Sequence, residues 1–328
     1  MYACRGGHVE AVAKFLPFLK DMNTCYQALS WAAESGHGKV VDLIVRRTGV
    51  DVNAKIEGNT FLFKASKAQD VNAIEVLLRA GADPNILCER AGDKHFGIGE
   101  RFSPSPASYR HKEPRGFTAL HAICRRSRGI PSPASADCLQ LLLNAGANIH
   151  LKAPDGSTVL HYACENDASL VKPLLEAGAD PAVETDAGIT PLHTNGRTDK
   201  ELLPVLLGTG FVDINKPASK SGRTPLHCRI DGGYDDTILA FLKYKPDVNA
   251  TDINGNTPLH MALHKTSVRG TVIDALLSAG ADPNLQNHEG ETPLHLTQRN
   301  CPLASKLVDK GANLEIQDCR GQTPLFKS

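Results

Sequence analysis

The sequence predicts an all-α solenoid, a stack of short helical repeats. The motif Thr-x-Leu-His occurs six times, and a seventh copy ends in Phe; the copies begin at Thr118, Thr158, Thr190, Thr224, Thr257, Thr292 and Thr323. The steps between these Thr residues are 40, 32, 34, 33, 35 and 31 residues. A period near 33 indicates repeats that bury their apolar faces only against one another.

Composition argues against several other classes of protein. The chain has 36 basic and 36 acidic residues, so its net charge gives no general attraction to nucleic acid or membranes. Nine cysteines without paired spacing argue against a disulfide framework. The segment Met1–His8 lacks the apolar core of a signal peptide, and no apolar run reaches the ~18 residues of a spanning helix. We expect a cytoplasmic protein, with the nucleus as the alternative.

The start of each repeat is predicted from the clearest copy. Thr257 is placed as the N-cap of a helix, and Pro258 occupies the first helical position, where its missing N–H costs nothing. The Thr257 hydroxyl and the His260 ring can both bond the helix start, as in a capping box. We therefore predict a first helix from Pro258 to about Thr266.

A second helix and a turn complete the same repeat. The pairs Val272–Ile273 and Leu276–Leu277 lie on one face of this second helix. Gly280 is predicted to end the helix in a left-handed conformation. An extended turn over Ala281–Asn284 follows, and Gly290 precedes the next Thr by two residues. The pattern is helix, turn, helix and a hairpin-like finger.

This pattern resembles the ankyrin repeat over nearly the whole chain. Thr-Pro-Leu-His occurs four times, and Gly-His occurs at Gly7 and Gly36. Gly-Ala-Asp or Gly-Ala-Asn begins at Gly81, Gly146, Gly178, Gly280 and Gly311. The resemblance implies an ankyrin-repeat solenoid of about nine stacked repeats.

We predict one domain over 1–328. Its repeats lie near 1–26, 27–59, 60–117, 118–157, 158–189, 190–223, 224–256, 257–291 and 292–322, with a partial copy at 323–328. The first copy lacks its Thr-Pro-Leu and the last is cut short, although a solenoid needs a polar cap at each end. We therefore expect a fragment of a longer protein, with a degenerate N-terminal cap as the alternative.

Two insertions interrupt the pattern, at 86–117 within the third repeat and at 125–133 within the fourth. Both are rich in basic residues, and an insertion in a repeat is often on the binding face. A loop without a role is the alternative. Three Ser-Pro sites in these insertions are candidates for phosphorylation, because a phosphate there could pair with neighbouring arginines. They are Ser103, Ser105 and Ser132.

The thirteen histidines do not indicate a metal site. The pairs His121/Cys124 and His161/Cys164 share the spacing His-x-x-Cys, but zinc needs four converging ligands. These residues recur one repeat apart, where the pattern expects a structural His and a small buried residue. The common phosphate-loop, metalloprotease and hydrolase motifs do not occur. We predict no catalytic residue, no cofactor and no metal.

The resemblance places the variable finger tips and the outward ends of the first helices on one concave side. Charge alternates along these positions, which favours a protein ligand over a polyanion. The candidate partner-binding residues are Arg125, Arg126, Glu165, Asp186, Arg197, Lys220, Arg223, Asp231, Asn254, His264, Lys265, His288, Glu289, Arg299 and Arg320.

These observations predict a monomeric, non-enzymatic scaffold that binds a protein partner through its concave face and finger tips. One alternative is a regulatory or targeting arm of a larger enzyme or signalling protein, such as a ligase component, kinase, channel or NACHT-type receptor. A second alternative is a nucleic-acid or polyanion binder that acts through the basic insertions. The sequence does not identify the partner.

Overall fold

The computed structural model describes residues 2–18, 21–89, 116–125, 133–194, 199–264, 270–297 and 301–327. They form two compact units, one ending at Asp180 and the other starting at Pro181. Helices dominate both units, so the predicted all-α class is confirmed. Within these ranges the only sheet is an antiparallel pair, β1 (Lys55–Ile56) and β2 (Asn59–Thr60).

The first unit consists of paired antiparallel helices. Short 3₁₀ turns at Leu16–Phe18 and Ala168–Leu170 supplement them. Its helices are α1 (Tyr2–Arg5), α2 (Val9–Phe15), α3 (Met22–Glu34), α4 (Gly38–Thr48), α5 (Phe61–Ala68), α6 (Val71–Arg79), α7 (Ala119–Cys124), α8 (Pro133–Asn144), α9 (Val159–Asn166) and α10 (Val171–Glu176).

Stacking in the first unit follows the repeat. The first helices α3, α5, α7 and α9 contact one another in sequence, and so do the second helices α4, α6 and α8. Leu29, Leu62 and Leu120, at equivalent positions of successive first helices, are at most 1% exposed. Burying each such side chain contributes about 1.5–3 kcal/mol, so this row of leucines holds the layers together.

The second unit repeats the arrangement. Its described helices are α11 (Asp199–Leu207), α12 (Pro225–Gly232), α13 (Asp235–Leu242), α14 (Pro258–His264), α15 (Gly270–Ser278), α16 (Cys301–Asp309) and α17 (Pro324–Lys327). Helices α12 and α14 contact each other, and α13 contacts both α11 and α15. Helices α14 and α15 are the two helices of the predicted first-helix and second-helix segments that contain Pro258 and Leu276, and Gly280 has the expected left-handed φ of 96°.

Two repeats of the second unit begin with a shorter helix. Pro191–His193 and Pro293–Leu296 are single 3₁₀ turns, whereas α12 and α14 are α-helices. The buried Arg229 of α12 donates from Nη1 to the Leu192 carbonyl (2.7 Å). Its guanidinium also lies 4.2 Å from the Phe241 ring centroid. A cation thus satisfies a carbonyl of the shortened helix, at a position where α14 has Ala262.

Candidate protein-interaction surface

The repeated histidines are internal connectors. In the 257–291 repeat, the Thr257 N–H donates to His260 Nδ1 (3.2 Å), and the Thr257 hydroxyl oxygen lies 2.8 Å from the same nitrogen. Because Nδ1 accepts, Nε2 carries the proton, and it donates to the Glu291 carbonyl of the next finger (3.0 Å). His227 and His295 make the equivalent bonds to the carbonyls of Asn256 and Gln322 (both 3.0 Å). Each histidine therefore fixes a finger relative to the preceding first helix.

Burial favours the neutral ring at His121, His227 and His260. It lowers the pKa of His121 to about 4. Burial, together with the nearby charge of His264, also lowers the pKa of His260 to about 4. The pKa of His227 is lowered, again chiefly by burial. A neutral ring can accept at one nitrogen and donate at the other, which the structural role requires.

Each finger is a tight turn closed by two backbone hydrogen bonds. In the finger of 252–256, the Asp252 N–H donates to the Asn256 carbonyl, and the Gly255 N–H donates to the Asp252 carbonyl (both 2.9 Å). Gly255 has a φ of 77°, and a Cβ there would lie 2.9 Å from the His288 nitrogen of the next finger. Glycine is required because both the conformation and the close approach exclude a side chain.

Neighbouring fingers are joined at their tips by a ladder of backbone bonds. The Ile253 N–H donates to the Ser221 carbonyl (2.9 Å), and the His288 N–H donates to the Asn254 carbonyl (2.9 Å). The Cys319 N–H then donates to the Glu289 carbonyl (3.0 Å). The ladder uses only backbone groups, and the Cys319 thiol adds one side-chain bond, to the His288 carbonyl (3.7 Å). The residue type at a tip can therefore vary without loss of the ladder.

The long insertion of the third repeat enters at a finger tip. The Cys88 N–H donates to the Phe117 carbonyl, and the Gly116 N–H donates to the Cys88 carbonyl (both 2.8 Å). These bonds reproduce those of the finger of 252–256. Cys88 and Gly116 therefore occupy the places of Asp252 and Gly255, and the segment 89–115 replaces two tip residues. The regular finger therefore includes Cys88, Gly116 and Phe117, which were predicted to belong to the 86–117 loop. Residues 90–115 lie outside the described part of the chain.

The predicted partner-binding residues differ in exposure. The exposed residues are Asp186, Lys220, Asn254, His264, His288, Glu289 and Arg320. The half-buried residues are Arg125, Glu165, Arg223 and Asp231. Those outside the described residues are Arg126, Arg197, Lys265 and Arg299, together with the predicted phosphorylation sites Ser103, Ser105 and Ser132. Partner binding by any of them stays a prediction.

Some half-buried candidates already have partners within the chain. Arg223 forms an ion pair with Asp231 (3.5 Å), and the Asp231 side chain is only 13% exposed. The Arg125 guanidinium lies 5.3 Å from the Phe117 ring centroid, a cation–π contact. The exposed tips are therefore the better candidates for contact with another molecule.

Sequence reasoning missed the side chains that reach between repeats. Lys64 is buried in α5 and donates to the Ser30 hydroxyl of α3 (2.7 Å). The Phe117 ring packs 5.1 Å from the rings of both His121 and Tyr162. The places of Lys64 and Phe117 have no constant residue type in the other repeats, so the repeat pattern gave no signal for these contacts.

Burial makes Cys138 and Cys228 poor ligands and nucleophiles. It raises the pKa values of Cys138 and Cys228 to about 11, so both are thiols at neutral pH. Among the described residues, no group of three or more His, Cys, Asp or Glu side chains is arranged to hold a metal ion. None of the described helices has the length and apolar character needed to span a membrane.

Together, the fold and the exposed tips define a helical-repeat protein with varied side chains at its finger tips. The family model "Ankyrin repeats (3 copies)" matches residues 1–88, 94–185 and 263–328. The model "Ankyrin repeats (many copies)" matches residues 226–270. The chain belongs to the ankyrin-repeat family.

Several relatives share this repeat. The B-cell lymphoma 3 protein homolog of Mus musculus is 31% identical over 194 residues, which are 58% of this chain and 36% of the relative. The nuclear factor NF-kappa-B p105 subunit of Gallus gallus is 33% identical over 162 residues (47% and 16%). Ankyrin repeat and SOCS box protein 16 of Homo sapiens is 31% identical over 220 residues (64% and 40%). The chain thus spans well under half of each relative's length.

A solved structure gives the same picture of the fold. The crystal structure of the ankyrin repeat domain of Bcl-3, described as a unique member of the IkappaB protein family, aligns with a TM-score of 0.53 and 27% identity. The alignment covers 66% of this chain and 95% of that domain. Ankyrin repeats support a role in protein interaction.

Proposed function

We propose that the chain binds a protein partner through its exposed finger tips and the adjoining first-helix ends. The observation that carries the proposal is the tip ladder, which is built from backbone groups alone. It leaves side chains such as Lys220, Asn254 and Glu289 exposed for contact. Alternating charges along the tips favour a partner of complementary charge pattern.

Charge reversal at the tips tests this proposal. The tip variant combines Asp186→Lys, Lys220→Glu, Glu289→Lys and Arg320→Glu, which leaves the net charge unchanged. A matched control places four reversals at exposed positions within or directly after two second helices: Asp236→Lys, Lys243→Glu, Asp309→Lys and Lys310→Glu. The full chain and both variants are used in cross-linking and co-purification from cells, with protein partners identified by mass spectrometry.

We expect partners captured by the unchanged chain and by the control to be lost, or at least tenfold depleted, with the tip variant. Each variant is first checked for an unchanged thermal transition, since exposed substitutions alter stability by less than about 0.5 kcal/mol. Equal capture by the tip variant would refute the assignment of the face. The second alternative, polyanion binding through the basic insertions, falls on residues outside the described ranges.

A further inference from the structure

A second line of bonds joins the repeats, on the side where each second helix ends. Asn249 donates from Nδ2 to the Gly280 carbonyl (3.0 Å) and accepts at Oδ1 from the Asp282 N–H (2.8 Å). Asn284 makes the same two bonds to Gly311 and Asn313 (3.0 and 2.7 Å). We call this arrangement the asparagine bridge. One carboxamide satisfies a carbonyl and an N–H of the next repeat.

One junction of the second unit lacks the bridge. Ala182 precedes Thr190 by eight residues, as Asn249 precedes Thr257, so an alanine stands where the carboxamide would be. The receiving segment also differs, because Gly210 and Asp213 are separated by two residues, whereas Gly280 and Asp282 are separated by one. Two departures from the repeat therefore coincide at a single junction.

A cavity occupies this place. Its volume is about 250 Å³, and its walls come from Ala182 and Glu184 on one side and from the segment 211–213 on the other, with Thr190 and Lys216 completing it. Lys216 and Glu184 form an ion pair of 3.0 Å in the wall. Phe211 is 78% exposed. The volume is below that of pockets for drug-sized ligands, which suits a single side chain.

We propose that this cavity binds the carboxamide of an Asn or Gln side chain from the protein partner. The inference deepens the proposed function and rests on it. A carboxamide can accept from a backbone N–H and donate to a backbone carbonyl, which are the two bonds that the asparagine makes at the intact junctions. A carboxylate has no donor and would lie near Glu184 and Asp213, whereas an ammonium has no acceptor. Phe211 would cover the apolar part of the entering side chain.

Two small probes test the chemistry on the unaltered full chain. N-acetyl-glutamine N-methylamide and its glutamate counterpart have nearly the same shape, but the glutamate side chain lacks the N–H donor and carries a negative charge. Each is titrated while the backbone amide of Asp213 is followed by NMR. We expect a saturable shift with the glutamine probe and at least tenfold weaker binding of the glutamate probe. Equal binding of both, or no shift with either, would overturn the inference.

Two substitutions test the location. Ala182→Asn places the chain's own carboxamide in the cavity, and Ala182→Leu fills it with a side chain of similar shape that has no polar group. Both substitutions should weaken binding of the glutamine probe at least tenfold. Circular dichroism verifies that each variant is folded. Probe binding that survives in a folded Ala182→Asn variant would place the carboxamide elsewhere. The titration of the unaltered chain remains decisive if either variant fails to fold.

Partner capture separates this inference from the proposed function. If the chain captures a partner that the tip variant loses but Ala182→Asn retains, the cavity inference fails and the proposed function stands. If the unaltered chain captures no partner, the proposed function fails whatever the probes show. If both the tip variant and Ala182→Asn lose the same partner, both proposals are supported.

Discussion

The asparagine bridge makes a quantitative prediction in the first unit, where one residue breaks it. Asn85 donates to the Gly146 carbonyl (3.1 Å) and accepts from the Asn148 N–H (2.7 Å). His150 holds the same place one repeat later. Gly178, which would accept its bond, has a φ of 94°, close to the 96° of Gly280 in an intact bridge. The substitution His150→Asn should therefore build a bridge to Gly178 and Asp180.

The expected gain in the free energy of unfolding follows from the number of new hydrogen bonds. Each net intramolecular hydrogen bond stabilises by about 0.5–1.5 kcal/mol. The new carboxamide is exposed on one side, as the bridging asparagines are, so we expect about 1–2 kcal/mol for the two bonds together. A unit of this size would melt about 2–4 °C higher for each kcal/mol. The reverse change, Asn85→His, should cost a similar amount.

Urea denaturation measures the change in overall stability, and amide hydrogen exchange measures the local change at the new bridge. The free energy of unfolding should rise in His150→Asn, and the exchange of the Asp180 amide should slow. His150→Gln is the matched control, because its amide is one methylene too far from the backbone to make both bonds. An equal gain in His150→Gln would mean that removing histidine, and not building the bridge, causes the effect. That result would refute the reasoning.

Three further predictions concern the interior and the fingers. The unfolded chain binds a proton at His121 and His260 near pH 6.5, but the folded chain does so only near pH 4, so stability should fall as pH drops through this window. The loss should reach about 2 kcal/mol per ring at pH 5, measured by urea denaturation at pH 7, 6 and 5. Arg229→Ala should cost about 3 kcal/mol or more, and Arg229→Lys should not restore it, because a single ammonium does not reproduce the planar fork; calorimetry checks both. Gly255→Ala should cost about 1–3 kcal/mol and speed exchange of the His288 amide, whereas Ala substitution at an exposed tip should leave both unchanged.

The period and the helix starts could be predicted from sequence because they are local. Thr257, Pro258 and His260 lie within one turn, and their types alone define the capping box. The left-handed glycines, such as Gly280, are likewise specified by a conformation that other residues avoid. The all-α class and its stacked layers follow from repeating these signals at a nearly constant interval.

Other features depended on contacts between distant residues and could not be predicted in this way. Arg229 donates to the carbonyl of Leu192, which is 37 residues away in the chain. No local sequence motif predicts such a bond. The ion pair between Arg223 and Asp231 is another contact that position in the repeat did not predict. The gaps in the asparagine bridge did leave a signal, because His150 and Ala182 break a column of asparagines once the repeats are aligned.

The two lines of inter-repeat bonds explain why the repeat motif carries so little information about function. At the tips, the ladder bonds join backbone to backbone, so Ile253, His288 and Cys319 can occupy equivalent places. Where the second helices end, the bridge depends on one asparagine side chain at each junction. The tips therefore tolerate changes of residue type, whereas the bridge requires asparagine. The insertion at Cys88 uses that freedom, since it adds chain at a tip without breaking the finger. At Ala182, where the bridging side chain is absent, a cavity lies between the two repeats.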